Sequence, residues 1–263
     1  MSTLSEKPAQ FSPLMLRRPQ VGWFDARTTL RDFAIITYAV EPKRLARHLA
    51  PGFEPDVFVG SDGEEMAFVS AVSFRNDGFH FRFAPFYKVS MGQTNYRAYV
   101  RYKQRRVVWF FGTTLGRFWS WVPRHLWRLP WHRARYEFDT IWEEERCQRY
   151  RLETKSAWGP ASVELEGSDE PTGCLEGFRN AEETAVVLTH PLEGYYHRRD
   201  GKVGSYSIWH DRLALCRAAV KKARFPAFER LDFIEEGDRP HSALVQRKTE
   251  FIICLPPRVV DEA

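Results

Sequence analysis

The chain has 263 residues, of which 43% are hydrophobic and 15% aromatic, and this is ample for a sizeable hydrophobic core. The formal net charge of +5 is mildly basic and supports no more than a preference for anionic partners. Four cysteines lie far apart without a C-x-x-C pair, which excludes the usual zinc spacing and a dense disulfide framework. We therefore expect no cofactor and no metal.

Residues 1–20 are polar and contain prolines, so they predict a flexible N-terminal arm rather than a signal peptide. A single domain is predicted over residues 21–258. The most apolar run, residues 107–122, is interrupted by glycines and an arginine and is too short to span a bilayer. These features predict a cytoplasmic protein of bacterial type with no membrane partner.

Most of the predicted elements are strands. Residues 33–40 (FAIITYAV) form a continuous apolar run that predicts a buried strand, and Pro42 then begins a short helix that ends near Leu49. Residues 76–78 (NDG) predict a turn, and residues 79–86 predict a strand or an extended loop. Residues 116–127 predict a helical or irregular segment, and residues 167–173 predict a polar loop. Residues 213–222 predict either a strand or a helix. Further strands are predicted over 66–74, 95–103, 107–111, 133–142, 147–156, 161–166, 203–210 and 242–255. Many strands and few helices predict an α+β domain that is mostly antiparallel β.

The predicted hairpin over residues 95–111 carries the first candidate site. Side chains two residues apart on a strand share a face, so Asn95, Arg97, Tyr99 and Arg101 point one way. Arginines inside a barrel need a carboxylate, an anion or water, and a guanidinium matches a carboxylate well. The functional interpretation is a pocket in which Arg97 or Arg101 binds an anionic ligand. The pattern by itself favours the alternative, a solvated outer face with the intervening tyrosines on the inside.

A Trp/Arg-rich run between Trp109 and Arg135 is the second candidate. Basic residues among aromatics can bind single-stranded nucleic acid through base stacking and phosphate contacts. The same pattern suits a helix whose tryptophans are buried beneath stacked arginines. Because no RNA- or DNA-binding motif accompanies the run, we favour packing, and a nucleic-acid or partner-binding surface at residues 119–135 stays an alternative.

Three histidines, His190, His197 and His210, lie close together in the sequence. Pro191 and Gly194 break the helix that a metalloprotease-type histidine pair would need, so no metal site is predicted. His210, at the end of a predicted strand, is the candidate acid or base if a pocket group lies nearby.

Four segments of the chain carry recognisable short motifs. They are residues 31–56, residues 95–100 (NYRAYV, similar to N-V-R-T-Y-V), residues 129–134 (LPWHRA, similar to L-P-Y-x-x-A) and residues 192–210, similar to E-R-Y…G…i-x-H. In these segments the chain resembles the YqjF-like family of uncharacterised bacterial proteins, which belongs to the acetoacetate decarboxylase-like superfamily. The resemblance covers about residues 20–255 and implies a closed or nearly closed antiparallel barrel with small helices and a central pocket.

The same resemblance bears on the chemistry. It places Arg31 at the superfamily's pocket arginine, and Gln93 where relatives often carry a glutamate that could act as an acid or base. Decarboxylases of the superfamily form a Schiff base on a lysine whose pKa is depressed by a neighbouring lysine. Residues 104–154, which include the matching region, contain no lysine, so the nucleophile for imine chemistry is missing.

We therefore predict a protein that binds or modestly modifies a small, partly apolar organic anion, such as a carboxylate, inside the barrel. The predicted anion contacts are Arg31 and Arg97, the predicted polar lining is Gln93, Asn95 and Tyr99, and Trp109 is the predicted apolar wall. Besides the surface at residues 119–135, one alternative is a non-covalent lyase or hydratase acting on an oxo acid, with His210 as its base. Whether the protein is an enzyme is left open, and a homodimer is compatible with its aromatic content.

Overall fold

The computed structural model of the protein describes residues 7–116 and 129–260. These residues form thirteen strands and four short helices, which confirms the predicted α+β fold dominated by antiparallel strands. No helix among them is long and apolar enough to cross a membrane. In chain order the elements are α1 (Pro13–Leu16), β1 (Ala26–Val40), α2 (Pro42–Ala46), β2 (Phe53–Pro55), β3 (Phe58–Val59), β4 (Glu65–Phe81), β5 (Val89–Tyr102), β6 (Arg105–Gly116), β7 (Trp131–Glu143), β8 (Arg146–Lys155), β9 (Ala161–Pro171), α3 (Ala181–Thr189), β10 (Glu193–His197), β11 (Val203–Trp209), β12 (Cys216–Arg224), α4 (Pro226–Arg230) and β13 (Ser242–Val260).

The strands close into a ring, and one hairpin crosses between two strands of this ring. Hydrogen-bonded neighbours run in the order β6–β7–β8–β9–β12–β13–β1–β4–β5, and β5 pairs again with β6. The β10–β11 hairpin bridges the ring, because β10 pairs with β6 and β11 pairs with β13. Strands β13, β1, β4, β5 and β6 therefore form a wall that two closed circuits share. Among the described strands, only β6–β7 and β6–β10 are parallel pairs.

The shared wall is buried on both faces and separates two hydrophobic cores. On β1, Ala34 and Ile36 belong to one core while Phe33 and Ile35 belong to the other. A strand that is buried on both sides has a continuous apolar sequence rather than an alternating one, which explains the run FAIITYAV. The first core lies against β7–β9, β12 and α4, and the second core lies against β10, β11 and α3.

Two turn predictions are corrected. Residues 76–78 form no turn between strands, because β4 continues through them with a register shift between Asn76 and Phe79, and Gly78 takes a φ of 67°. An extra residue in a ladder makes a β-bulge, and glycine accepts the backbone angle required there. The hairpin turn consists of Lys103 and Gln104 rather than residues 104–106, with φ values of 47° and 63°. Two central residues with positive φ match the twist of the strands that they connect.

Several strands are longer than predicted. β1 begins at Ala26, β9 continues through part of the predicted loop at residues 167–173, and β13 continues past Pro256 to Val260. Residues 213–222, left open as strand or helix, lie largely in strand β12. The predicted helical or irregular segment at residues 116–127 falls, after Gly116, outside the described residues.

Helix α3 was missed at the sequence level, although its N-terminus carries clear signals. Asn180 caps it by accepting a hydrogen bond from the Glu183 backbone nitrogen (2.8 Å), and acidic residues occupy the first turn. Glu183 also accepts a hydrogen bond from the backbone nitrogen of Ala9 (3.3 Å) and pairs with Arg179. The described part of the N-terminal segment thus contacts the start of α3, while the end of α3 faces the second core.

Asp32 connects three strands at a second bulge, which lies between Arg31 and Ala34 on β1. The side chain is buried, and its Oδ1 accepts hydrogen bonds from Thr140 Oγ1 (2.8 Å) and Trp142 Nε1 (2.7 Å) on β7. Arg75 on β4 forms an ion pair with its Oδ2. One carboxylate therefore joins β1 and β4, which are neighbours in the ring, to β7, which is a neighbour of neither.

We expect Asp32→Ala to lower the free energy of unfolding by about 2–3 kcal/mol. The substitution leaves two partly buried donors, Thr140 Oγ1 and Trp142 Nε1, without an acceptor, and only the half-exposed Arg75 can turn to water. Urea unfolding followed by circular dichroism measures the change. Asp77→Ala, which removes the exposed ion pair with Arg31, is the control and should cost less than about 1 kcal/mol. Equal losses in the two variants would contradict a structural role for Asp32.

Candidate functional site

A cavity of about 500 Å³ opens inside the second core. This volume lies within the range of small-molecule sites, which are usually apolar clefts with a few polar groups that orient the ligand. Strands β1, β4, β5, β6, β11 and β13 supply the walls, which are mostly aliphatic and aromatic. The apolar side chains deep in the cavity include Leu30, Phe33, Ile35, Val72, Phe74, Phe110 and Phe251.

A stripe of amides runs along one side of the cavity. Thr28 Oγ1 donates to Asn76 Oδ1 (3.2 Å), and Asn76 Nδ2 donates to Gln93 Oε1 (2.9 Å). Gln93 Nε2 then donates to Asn95 Oδ1 (2.9 Å), which also accepts from Thr113 Oγ1 (2.9 Å). These bonds orient the Asn95 amide so that its Nδ2, a two-proton donor, is left without a partner among the described residues.

Arg97 follows Asn95 on the same face of β5 and also lines the cavity. The residue is only 7% exposed. Its Nη2 donates to the Leu188 carbonyl (2.9 Å) and to the Tyr99 hydroxyl (3.2 Å), whereas Nε is buried without a partner. No carboxylate in the described part of the chain forms an ion pair with Arg97. A buried guanidinium that lacks a counter-ion is costly, and this is the least satisfied charge of the site.

The last turn of α3 holds this guanidinium in place. The Leu188 carbonyl accepts from Arg97 and also from the Tyr99 hydroxyl (3.1 Å). Ser70 Oγ donates to the same tyrosine hydroxyl (3.0 Å), so Tyr99 acts as a support for Arg97 rather than as a lining residue. The carboxyl-terminal end of a helix carries a partial negative charge, which offsets part of the charge of Arg97.

His210 lines the cavity beside α3, but its ring nitrogens are occupied. Nε2 lies 2.9 Å from the Thr189 carbonyl, and Nδ1 lies 2.7 Å from the Asp211 carbonyl. Burial lowers the pKa of His210, and the charge of Arg97 lowers it further, in spite of these two carbonyls. Burial likewise lowers the pKa of His190, whose ring contacts His210, to about 3. His210, held between these two backbone carbonyls, therefore joins the end of β11 to α3 and offers no free nitrogen to a ligand.

Besides Tyr99, two residues that were predicted to form the pocket lie outside it. Arg31 is half exposed, with its Nε 2.6 Å from Asp77 Oδ2. The bulge at Asp32 explains the position of Arg31. Leu30 lies in the cavity wall, so the next residue, Arg31, points to the other side of the strand. The extra residue of the bulge then shifts the alternation, and Phe33 lies in the wall again.

Trp109 is also outside the cavity and lies fully buried in the first core, 4.8 Å from the ring of Phe53. Neighbouring residues on a strand face opposite sides, so Phe110 lines the cavity instead. Arg101, the alternative anion contact, lies with its Nε 2.6 Å from Asp56 Oδ1, and Arg106 lies against the other oxygen of that carboxylate. Of the predicted set, Gln93, Asn95, Arg97 and His210 are brought together around one cavity.

Tyr206 is a lining residue that sequence reasoning missed. Its hydroxyl has no hydrogen-bond partner among the described residues, and burial raises the pKa of its phenol, so the hydroxyl stays protonated and able to donate. Period-two spacing back from His210 through Ile208 was the available signal, since Tyr206 and Ile208 on β11 and His210, the residue after it, all line the cavity.

Lysine and metal ligands do not contribute to the described site. None of the described residues that line the cavity is a lysine. The segment 117–128, which lies outside the described residues, contains no lysine either. Within the described ranges, no group of three or more histidine, cysteine, aspartate or glutamate side chains could hold a metal ion.

Comparison with solved structures identifies the fold. Acetoacetate decarboxylase from Legionella pneumophila subsp. pneumophila str. Philadelphia 1 has a TM-score of 0.61 and 15% identity, covering 99% of this chain and 98% of that chain. An acetoacetate decarboxylase-like enzyme from Sphingomonas wittichii RW1 has a TM-score of 0.58 and 9% identity, covering 92% and 95%. The enduracididine biosynthesis enzyme MppR, complexed with pyruvate, has a TM-score of 0.55 and 13% identity, covering 97% and 98%. At such identities the likeness shows the fold alone.

Comparison with curated proteins finds no match. The family model of DUF2071, described as "Uncharacterized conserved protein (COG2071)", matches residues 27–250. The acetoacetate decarboxylase-like fold predicted from the short motifs is thereby confirmed, whereas the narrower YqjF-like assignment stays a prediction. The family match covers most of the 263 residues, and the chain therefore belongs to the DUF2071 family, with an acetoacetate decarboxylase-like fold.

Proposed function

We propose that this protein binds a small, partly apolar organic anion in the cavity of the second core, with Arg97 holding the anionic group. The observation that carries the proposal is the guanidinium of Arg97, which is buried against an apolar cavity without a carboxylate partner among the described residues. Because an uncompensated buried charge destabilises the protein, a ligand anion that completes the site gains a strong interaction.

The donors favour a carboxylate that carries a single negative charge. Arg97 and the Nδ2 of Asn95 are neighbouring donors on one face of β5, and Tyr206 adds a protonated hydroxyl. Arg97 is the only arginine or lysine among the described residues that line the cavity, so a second charge on the ligand would lack a counter-ion. The rest of the lining suits a hydrocarbon or aromatic body.

Non-covalent binding is favoured over imine chemistry. Relatives of the same fold include acetoacetate decarboxylase and MppR, the latter complexed with pyruvate. This chain has no lysine from residue 104 to residue 154 and none among the described lining residues. A lyase or hydratase with His210 as its base finds little support, because both nitrogens of that ring lie against backbone carbonyls.

Replacing Arg97 should remove ligand binding without weakening the free protein. We expect Arg97→Met to lose the stabilisation that a monocarboxylate gives the wild type, which is about 2.7 kcal/mol at a hundred times its dissociation constant. The unliganded variant should unfold at the same temperature as the wild type or higher, because a buried charge without a counter-ion has been removed. Thermal unfolding with and without octanoate or phenylacetate measures both effects.

Arg31→Met is the matched control, because Arg31 is an arginine on β1 whose side chain forms an exposed ion pair with Asp77. Ligand stabilisation should survive this change. A loss of binding in the Arg31 variant, or intact binding in the Arg97 variant, would contradict the assignment of the anion site to Arg97.

The apolar walls predict a dependence of affinity on chain length. In a series of straight-chain carboxylates from butanoate to decanoate, each added methylene should strengthen binding about fourfold, since burial of one methylene is worth about 0.8 kcal/mol. Isothermal titration calorimetry measures the series. The dicarboxylate of equal length should bind far more weakly, and a flat series or a preference for dicarboxylates would argue against an apolar body.

The missing lysine predicts that no Schiff base forms. Incubation with pyruvate or acetoacetate followed by borohydride reduction should leave the mass of the intact protein unchanged, because a stable reduced adduct requires an imine with a lysine. An acetoacetate decarboxylase treated in the same way supplies the positive control. An added mass that maps to one lysine would show imine chemistry at a lysine outside residues 104–154 and would contradict this prediction.

A further inference from the structure

Exposed aromatic side chains surround the mouth of the cavity. Phe24, Phe83, Phe86 and Tyr87 form this aromatic rim, in which Phe86 is 86% exposed and Phe24 is 58% exposed. Phe83, Phe86 and Tyr87 line the cavity, and the ring of Phe24 lies 6.1 Å from that of Phe83. Large apolar side chains that are exposed together mark an interaction surface, and this one is continuous with the interior of the cavity.

Unpaired cations flank the aromatic rim. Arg82 and Lys88 are exposed and belong to the same loop as Phe83 and Phe86, and Arg27 lines a surface groove with Arg82. None of these three cations has a carboxylate partner in the described part of the chain.

Two acidic residues near the rim, Asp25 and Asp77, are already engaged. Asp25 is buried and accepts hydrogen bonds from the backbone nitrogens of Gly22 (2.6 Å) and Leu255 (2.9 Å). Asp77 pairs with Arg31. The mouth of the cavity therefore combines an apolar centre with a positive border.

We propose that the aromatic rim docks on an anionic lipid bilayer, with the mouth of the cavity facing the lipid. Tryptophan, tyrosine and phenylalanine side chains partition into the interfacial region of a bilayer, and each nearby basic residue adds attraction to anionic headgroups. In this orientation an apolar acid passes between the bilayer and the cavity without its hydrocarbon part crossing water. The absence of a spanning helix among the described residues leaves such peripheral docking open.

The charge pattern favours a bilayer over a second copy of the chain. A two-fold interface places the same surface patch on both sides, so the unpaired cations of Arg27, Arg82 and Lys88 would face their own copies. Among the described residues, neither copy would supply a free carboxylate at this patch to neutralise them, because Asp25 and Asp77 are already engaged. An anionic bilayer meets both the apolar centre and the positive border at once.

Co-sedimentation of the full chain with vesicles tests the docking. The protein should sediment with vesicles of equal parts phosphatidylcholine and phosphatidylglycerol, and much less with phosphatidylcholine alone. High salt should weaken the binding, because screening shortens the reach of the cations. Phe86→Ser should weaken partitioning by about tenfold, the factor expected for one large aromatic side chain, and Lys88→Gln by about fivefold.

Matched controls sit elsewhere on the surface. Ile141→Ser removes an exposed apolar side chain from β7, and Lys222→Gln removes an exposed cation from β12, so both variants should sediment like the wild type. Thermal unfolding of each variant verifies that it is folded.

Three outcomes would overturn the docking proposal. They are no sedimentation with either vesicle, equal sedimentation of the wild type and Phe86→Ser, and a dimer in gel filtration that Phe86→Ser converts into a monomer, since a second copy would then cover the rim. This proposal goes beyond ligand binding and fails separately from it. Arg97→Met should still bind vesicles, and Lys88→Gln, whose side chain does not line the cavity, should still be stabilised by short carboxylates in the absence of lipid.

Discussion

The contact between the guanidinium of Arg97 and the carbonyl of Leu188 is the constraint around which the cavity is arranged. It requires β5 to present Arg97 inward and α3 to end at that depth in the second core. Tyr99 and His210 reach the same end of α3, through the carbonyls of Leu188 and Thr189. The partial negative charge of the helix end makes burial of the arginine tolerable, but it leaves donors unpaired on the cavity side. The proposed affinity for an anion thus has its physical origin in this contact.

The shared wall explains how a single strand can serve a hydrophobic core and a binding site together. On β5, Tyr96 and Ala98 pack in the first core, while Asn95 and Arg97 face the cavity. The alternative prediction of a solvated arginine face fails here because neither side of the wall is open to water. The first core can therefore carry most of the packing, and the second core keeps space for a ligand.

Retention of a fold does not require retention of its chemistry. The chain keeps the acetoacetate decarboxylase-like architecture over nearly its whole length, yet the described lining of its cavity has Arg97 as its one arginine and no lysine, and both ring nitrogens of His210 lie against backbone carbonyls. This lining is the reason that we propose binding of an anion rather than activation of a nucleophile. The aromatic rim continues the apolar lining of the cavity out to the protein surface.

The sequence alone determined the abundance of antiparallel strands, the buried character of residues 33–40 and the shared face of Asn95, Arg97 and Tyr99, because strand period and hydrophobic runs are local properties. Short motifs also sufficed for the superfamily. Only the tertiary structure decided which arginine faces the cavity, since the bulge at Asp32 reverses the alternation that would have brought Arg31 inward. It also decided that the end of α3 meets Arg97 and that Phe110 replaces Trp109 in the wall, because contacts across a ring depend on closure and not on spacing along the chain.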